Sequence, residues 1–299
     1  LDTTLFKGTT FGQLAQLPGR PYLIIGATDL SSGAEFNFTS DRLALLCSSI
    51  DRVPLAFAVA SSSAVPVLFS PLTLQNHSER CAQPLRKGPG ANEAAAEPAR
   101  VRLQKGEFES IAGGRRPFIH LVDGGVSDNL GTRRLTDYVA KAGGVGAVMS
   151  MLGRGQPPAA EVPRRIVLIS VNSESDEDLP IDQSGAVPGS LDALRAMIFG
   201  GLGRFSKETS LVFSDAVEQW RRELRSDPRW AVESEADIFS IAIRLTDLDD
   251  SSLRTQVLAI PTAFRISGVD RGMLRQAAKR SLERSAEFKR FLESLPPAP

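Results

Sequence analysis

The sequence predicts an α/β chain with a mostly parallel central sheet between helical layers, and two observations carry that prediction. The stretch Phe118-Ile119-His120-Leu121-Val122-Asp123-Gly124-Gly125 runs apolar residues into a carboxylate and two glycines, the pattern of a buried strand that stops at a tight turn. Further strand-like runs at residues 21–30, 165–171 and 238–245 are separated by segments with helical spacing. The composition agrees, with 42% hydrophobic and 23% charged residues over 299 positions, enough for a substantial globular core. No internal repeat or sharp boundary interrupts the chain. One α/β/α unit over residues 1–299 is therefore the simplest arrangement.

Asp123 falls at the C-terminal tip of its strand, where open α/β sheets place ligands and catalytic groups. Gly124 and Gly125 admit backbone angles closed to other residues and let a neighbour approach closely. Asn129 is expected to cap a helix carrying Leu130, Leu135 and Val139. A carboxylate held in this way can orient or deprotonate a nucleophile supplied by another segment. Asp-Gly-Gly taken alone is equally a simple turn.

The other elements follow in order. Residues 21–30 read as a strand, with Glu35–Thr39 as its hairpin partner. Ser40 is placed to cap a helix with Leu43, Leu46, Cys47 and Ile50 on one face. Leu55–Ser62 reads as a second helix and Val65–Phe69 as a short strand. Ser61, Ser62 and Ser63 lack the flanking glycines of a nucleophile elbow, and each can instead bond to the preceding helical turn. Residues 53–78 carry no charge, but Pro54, Pro66 and Pro71 interrupt them, so they read as buried core and not as a membrane span.

Residues 83–114 shift to Pro, Gly, Ala, Glu and Arg and are expected to form a mobile loop. Arg165–Val171 reads as a buried strand, followed by an acidic loop to Gly189. Leu191, Leu194 and Ile198 begin a helix that Gly200, Gly201 and Gly203 are expected to interrupt. Phe213, Ala216, Val217, Trp220 and Leu224 share one face of a longer helix ending before Pro228, a face suited to core packing or to lipid contact. Ile238–Leu245 is the last strand, and Leu274, Ala277, Ala278, Leu282 and Phe288 mark a final amphipathic helix.

Charge and rare residues narrow the function classes. Thirty-five Lys and Arg balance 35 Asp and Glu, which leaves no global electrostatic basis for binding nucleic acid. His77 and Cys81 have the spacing of a metal pair on a helix, but two isolated ligands do not make a structural zinc site. Cys47 and Cys81 are the only cysteines, and either a disulfide or two thiols is compatible with their number. His120 lies three residues before Asp123 on one strand, so the two side chains face opposite ways and a Ser-His-Asp triad is not indicated.

The order strand, Asp123-Gly124-Gly125, Asn129, helix resembles the distal motif of the patatin-like phospholipases. The run from Tyr22 to Gly33, with Thr28-Asp29-Leu30 at its turn, looks like a strand of that family. Residues 58–71, with Ser61, Ser62, Ser63, Ala64 and Pro66, are similar to its Ala-Ser-Ser-Ala-x-Pro segment. The resemblance covers residues 21–131 and rests on general pattern alone from Pro157 onward. It implies a three-layer α/β/α patatin-like fold, a Ser-Asp dyad with Asp123 as its acid, a phospholipid or related lipid ester as substrate, peripheral membrane contact, and no cofactor.

The family's nucleophile is the serine of a G-x-S-x-G elbow, preceded by a Gly-rich oxyanion loop. Neither pattern occurs in these residues. The chain is thus expected to be the C-terminal portion of a longer enzyme, inactive alone, with an upstream N-terminal segment carrying the serine. The alternative is a non-catalytic lipid-binding or assembly module that keeps the fold. Similar bacterial proteins are often exported, which favours a Cys47–Cys81 disulfide and a cell-envelope or secreted location, with the cytoplasm left open. A nucleotide-binding domain is disfavoured, because no strand leads into a phosphate-cradling glycine motif.

Overall fold

A computed structural model of the chain describes residues 2–19, 21–81, 99–153, 165–172, 180–228, 237–261, 263 and 265–295. The chain divides into two compact units, residues 1–140 with 197–202, and residues 141–196 with 203–299.

The first unit is built on four strands: β1 (Gly26–Asp29), β2 (Glu35–Asn37), β3 (Leu72–Gln75) and β4 (Phe118–Asp123). They lie in the order β2-β1-β4-β3, and every pairing is antiparallel. In the second unit β5 (Arg165–Asn172) and β6 (Asp237–Arg244) form a parallel pair, in register from Arg165↔Asp237 to Asn172↔Arg244. The protein is mixed α/β, but the expected mostly parallel central sheet is not found. Side-chain alternation identifies a strand and its buried face and says nothing about the direction of its neighbour. One sign of an antiparallel sheet was present: His120 and Phe118 alternate with Ile119 and Leu121, and the structure leaves the first pair exposed and the second buried.

The core of this unit gathers Phe36, Phe38, Leu43, Leu46, Ala58, Ile119 and Leu121. Burying each of the larger side chains is worth about 1.5–3 kcal/mol. The helix Ser40–Leu45 buries Leu43 as expected, although the N-cap position is Thr39 and its side chain makes no capping bond. The helix Leu55–Ser62 has the predicted bounds, and the Ser61 hydroxyl donates to the Phe57 carbonyl at 2.9 Å. Cys47 and Cys81 form a disulfide with Cα atoms 6.0 Å apart.

Three expectations fail in this unit. Val65–Phe69 is a turn, in which Leu68 and Phe69 both donate to the Val65 carbonyl and Val67 takes a φ of +74°. Pro66 removes a donor there, and the strand forms later, at Leu72–Gln75. The β1 strand begins at Gly26, not at residue 21. Of the expected loop at 83–114, Ala99–Ala112 is a helix, while residues 82–98 lie outside the described residues.

One helix runs from Ser190 to Ser226, all of it but residues 197–202 within the second unit, without a break at Gly200, Gly201 or Gly203. A glycine costs about 1 kcal/mol relative to alanine in a helix, too little to end one that is anchored elsewhere. Its anchors are Phe213, Val217, Trp220 and Leu224, all buried, so this face belongs to the core and not to a lipid surface. Arg221 on the same helix donates to the Ile238 carbonyl at 2.9 and 2.7 Å, tying it to the start of β6. The expected final helix is two, Gly268–Arg284 and Ala286–Glu293, joined at Ser285, whose hydroxyl accepts the Phe288 N–H at 3.2 Å. Of the expected acidic loop, residues 173–179 lie outside the described residues, and Pro180–Gln183 form a 3₁₀ turn.

Candidate functional site

Asp123 ends β4, directly across from Ala27 of β1. Its Oδ1 accepts the Gly125 N–H at 2.8 Å. Its own N–H donates to the Ala64 carbonyl at 2.9 Å, and the Gly124 N–H donates to the Ser62 carbonyl at 3.2 Å. The end of the Leu55–Ser62 helix is therefore docked by its backbone onto the Asp-Gly step. Two of the segments that carry the family resemblance meet here.

The Asp123 carboxyl is partly buried, and no ion pair reaches it among the described residues. Burial pushes its pKa above the ordinary aspartate value, opposed only by the Gly125 N–H. A carboxylate so held is a stronger base than a solvated one.

The glycines act by allowing close approach and not by unusual angles. Gly124 has an ordinary helical φ of −64°. A Cβ on it would stand 2.4 Å from the Gly26 carbonyl oxygen. A Cβ on Gly125 would stand 2.8 Å from Asn129 Oδ1 and 3.0 Å from Asp123 Oδ1. Asn129 thus lies against the same turn as the Asp123 carboxylate, but it does not cap the next helix. It ends the short helix Gly125–Asp128, and the helix Thr132–Ala142 is capped by Asp128, whose Oδ2 accepts the Arg133 N–H at 2.8 Å.

Sequence reasoning missed the groups that hold this turn from beneath. Thr28 Oγ1 lies 2.8 Å from the Asp123 carbonyl oxygen and 2.9 Å from Ser127 Oγ, and it accepts the Ser127 N–H at 3.1 Å. Both hydroxyls are buried. Thr28 stood inside the Tyr22–Gly33 run singled out for its resemblance, whereas nothing in the local pattern around Ser127 marked it.

The neighbouring Asp29 is a structural group. Burial pushes its pKa up, but the Arg116 guanidinium at 2.7 Å and the Ser32 hydroxyl at 2.8 Å outweigh that and hold it below the ordinary value. His120 is exposed and pairs across the sheet with Thr73, Nδ1 to Oγ1 at 3.0 Å. Cys81 is consumed by its disulfide, so the His77–Cys81 pair has no thiolate to offer a metal. Among the described residues no cluster of three His, Cys, Asp or Glu side chains is placed to hold a metal ion.

A cavity of about 430 Å³ opens in the first unit between the β1–β2 hairpin, Arg42, Arg116 and the helix Ala99–Ala112. Asp123 is not part of its lining. Set against known protein families, characterised proteins and solved structures, the chain finds no match in any of the three.

Proposed function

We propose that this chain supplies the acid–base half of a lipid acyl hydrolase that works like the patatin-like phospholipases, with Asp123 as the base. The nucleophilic serine is contributed by a segment outside these residues. The observation that carries the reading is the setting of Asp123: a strand-end carboxylate held by one N–H, without an ion pair among the described residues, and with its pKa raised by burial. A carboxylate already locked by arginine, as Asp29 is, would be a poor proton acceptor.

In this mechanism the serine hydroxyl attacks the ester carbonyl while Asp123 takes its proton. Backbone N–H donors of the segment that brings the serine hold the developing oxyanion. The protonated Asp123 then returns its proton to the departing alcohol. Water hydrolyses the acyl-enzyme in a second half-reaction, with Asp123 again as base. The lipid ester would be reached by peripheral contact with the membrane, and among the described residues no helix is long and apolar enough to cross one. The Cys47–Cys81 disulfide supports an oxidising location, the cell envelope or outside the cell.

The test is hydrolysis of a p-nitrophenyl acyl ester and of phospholipid vesicles by two polypeptides. The 299-residue chain alone is expected to stay at background. A longer polypeptide that adds a G-x-S-x-G segment upstream is expected to turn over, and Asp123→Asn is expected to lower its rate by about 10²–10⁴-fold. Asp123-dependent turnover by the 299-residue chain itself would reject a serine supplied from elsewhere.

A further inference from the structure

The cavity beside the β1–β2 hairpin holds an arginine whose setting the dyad does not explain. Arg42 is 5% exposed and lies on the cavity wall. Its guanidinium stacks over the Phe108 ring at 4.1 Å and stands 5.9 Å from the Phe36 ring centre. Its one hydrogen bond among the described residues runs from Nη2 to the Glu35 carbonyl at 3.2 Å. A guanidinium has several more N–H donors, and none of those of Arg42 is sealed away without a partner, so any donor not bonded to protein is open to the cavity. Burial lowers its pKa to about 10, so it still carries its charge at neutral pH. Two further arginines line the cavity: Arg116 is already engaged by Asp29, and Arg102 is exposed to solvent and has a partner of its own.

The remaining wall is largely apolar, with Phe36, Leu103 and Ile111. Gly106 faces the same space, and a Cβ added there would meet nothing within 4 Å. The cavity volume falls within the range of small-molecule sites, roughly 300–1,000 Å³.

We propose that this cavity binds a small monoanionic carboxylate with an apolar chain, its carboxylate on the Arg42 guanidinium and its chain along Leu103 and the edge of Ile111. A guanidinium fork matches a carboxylate in two parallel hydrogen bonds. The Glu107 carboxylate also lines the cavity and acts on Arg42 through charge, which disfavours a doubly charged phosphate monoester. The assignment does not rest on the dyad, since Asp123 is absent from the lining.

The test is calorimetric titration of the full 299-residue chain with octanoate, octyl phosphate and octanol. Octanoate is expected to bind saturably and more tightly than either of the others. Arg42→Met is expected to weaken octanoate about tenfold or more, as loss of a hydrogen bond to a charged group should. Gly106→Phe places a ring at the cavity wall where an added Cβ meets nothing within 4 Å, and it should abolish binding with no fall in Tm, because glycine is itself unfavourable within a helix. Should Arg42→Met fail to fold, Gly106→Phe decides alone. Asp123→Asn is expected to bind octanoate like the parent, which separates this site from the proposed dyad. The assignment is overturned if octanol binds as well as octanoate, if octyl phosphate binds tighter, or if Gly106→Phe leaves binding unchanged.

Discussion

The Thr28 hydroxyl stands 2.8 Å from the main-chain oxygen of Asp123, 95 residues further along the chain. The Thr28 hydroxyl oxygen also accepts the Ser127 N–H at 3.1 Å. One buried hydroxyl thus ties the last residue of β4 to the helical turn that follows it. Thr28→Val keeps the shape and removes these bonds, while the Ser127 N–H keeps the Gly124 carbonyl at 3.2 Å. The expected loss of unfolding free energy is about 0.5–1.5 kcal/mol for each bond lost, with Thr28→Ser recovering most of it. Urea denaturation followed by circular dichroism measures both. Equal stability of the valine variant would show that the hydroxyl does not anchor the turn.

Gly124 offers a sharper comparison. Its hypothetical Cβ falls 2.4 Å from the Gly26 carbonyl oxygen, a backbone atom that can move only with β1. Gly124→Ala must therefore displace the strand, at a cost of about 1–3 kcal/mol. Gly131 supplies the contrast, with a φ of +67° and nothing within 4 Å of an added Cβ. There alanine suffers only backbone strain, about 1–2 kcal/mol. The two variants are distinguished by amide chemical shifts: Gly124→Ala is expected to perturb Gly26 and Ala27 across the sheet, and Gly131→Ala its own turn alone.

How far this architecture could be read beforehand depended on the range of the interactions involved. Leu55–Ser62 was legible to the residue because Pro54 and the following Ser-rich turn bracket a compact apolar run. The strand Phe118–Asp123 and its Asp-Gly-Gly end were legible for similar local reasons. Strand direction was not, because it depends on partners such as Thr73↔His120 that lie far apart in sequence. The persistence of the Ser190–Ser226 helix through its glycines was equally hidden, since burial of Phe213 and Trp220 offsets a local penalty. At the site, Asp123 and its glycines were visible as a motif. Ser127 and the capping role of Asp128 were not, because each is fixed by a hydrogen bond and not by composition.

Asp29 and Arg116 make a pair whose effect on stability follows from pH. The folded-state pKa of Asp29 is held below its unfolded value of 3.8 despite burial. Its stabilisation is therefore complete above that unfolded value and lost as pH falls through the lower, folded one. Arg116→Met removes the partner and leaves a nearly buried carboxylate with the Ser31 N–H and the Ser32 hydroxyl. Breaking one side of such a pair costs about 3–5 kcal/mol when both members are buried, and less here because the arginine side chain is 20% exposed. The deficit should be largest at neutral pH and shrink in acid. A deficit independent of pH between 2 and 7, on the order of that window, would assign the arginine a packing role only.

Asp123 shows the opposite sign. Its folded-state pKa lies above the ordinary 3.8, because burial disfavours the charged form more than the Gly125 N–H favours it. The folded chain therefore binds the proton more tightly than the unfolded chain does. Stability falls as pH rises from the unfolded pKa to the folded one, and stays lower above it. Asp123→Asn preserves an oxygen for the Gly125 N–H and removes the buried charge. The variant is expected to match or exceed the parent at pH 7 and to lose that advantage at acid pH, where the parent carboxyl is protonated. Thermal unfolding across pH, together with a carboxyl carbon-13 NMR titration of the parent, measures both sides. A titration at or below the ordinary aspartate value would remove the basicity on which the proposed proton transfer from a serine hydroxyl depends.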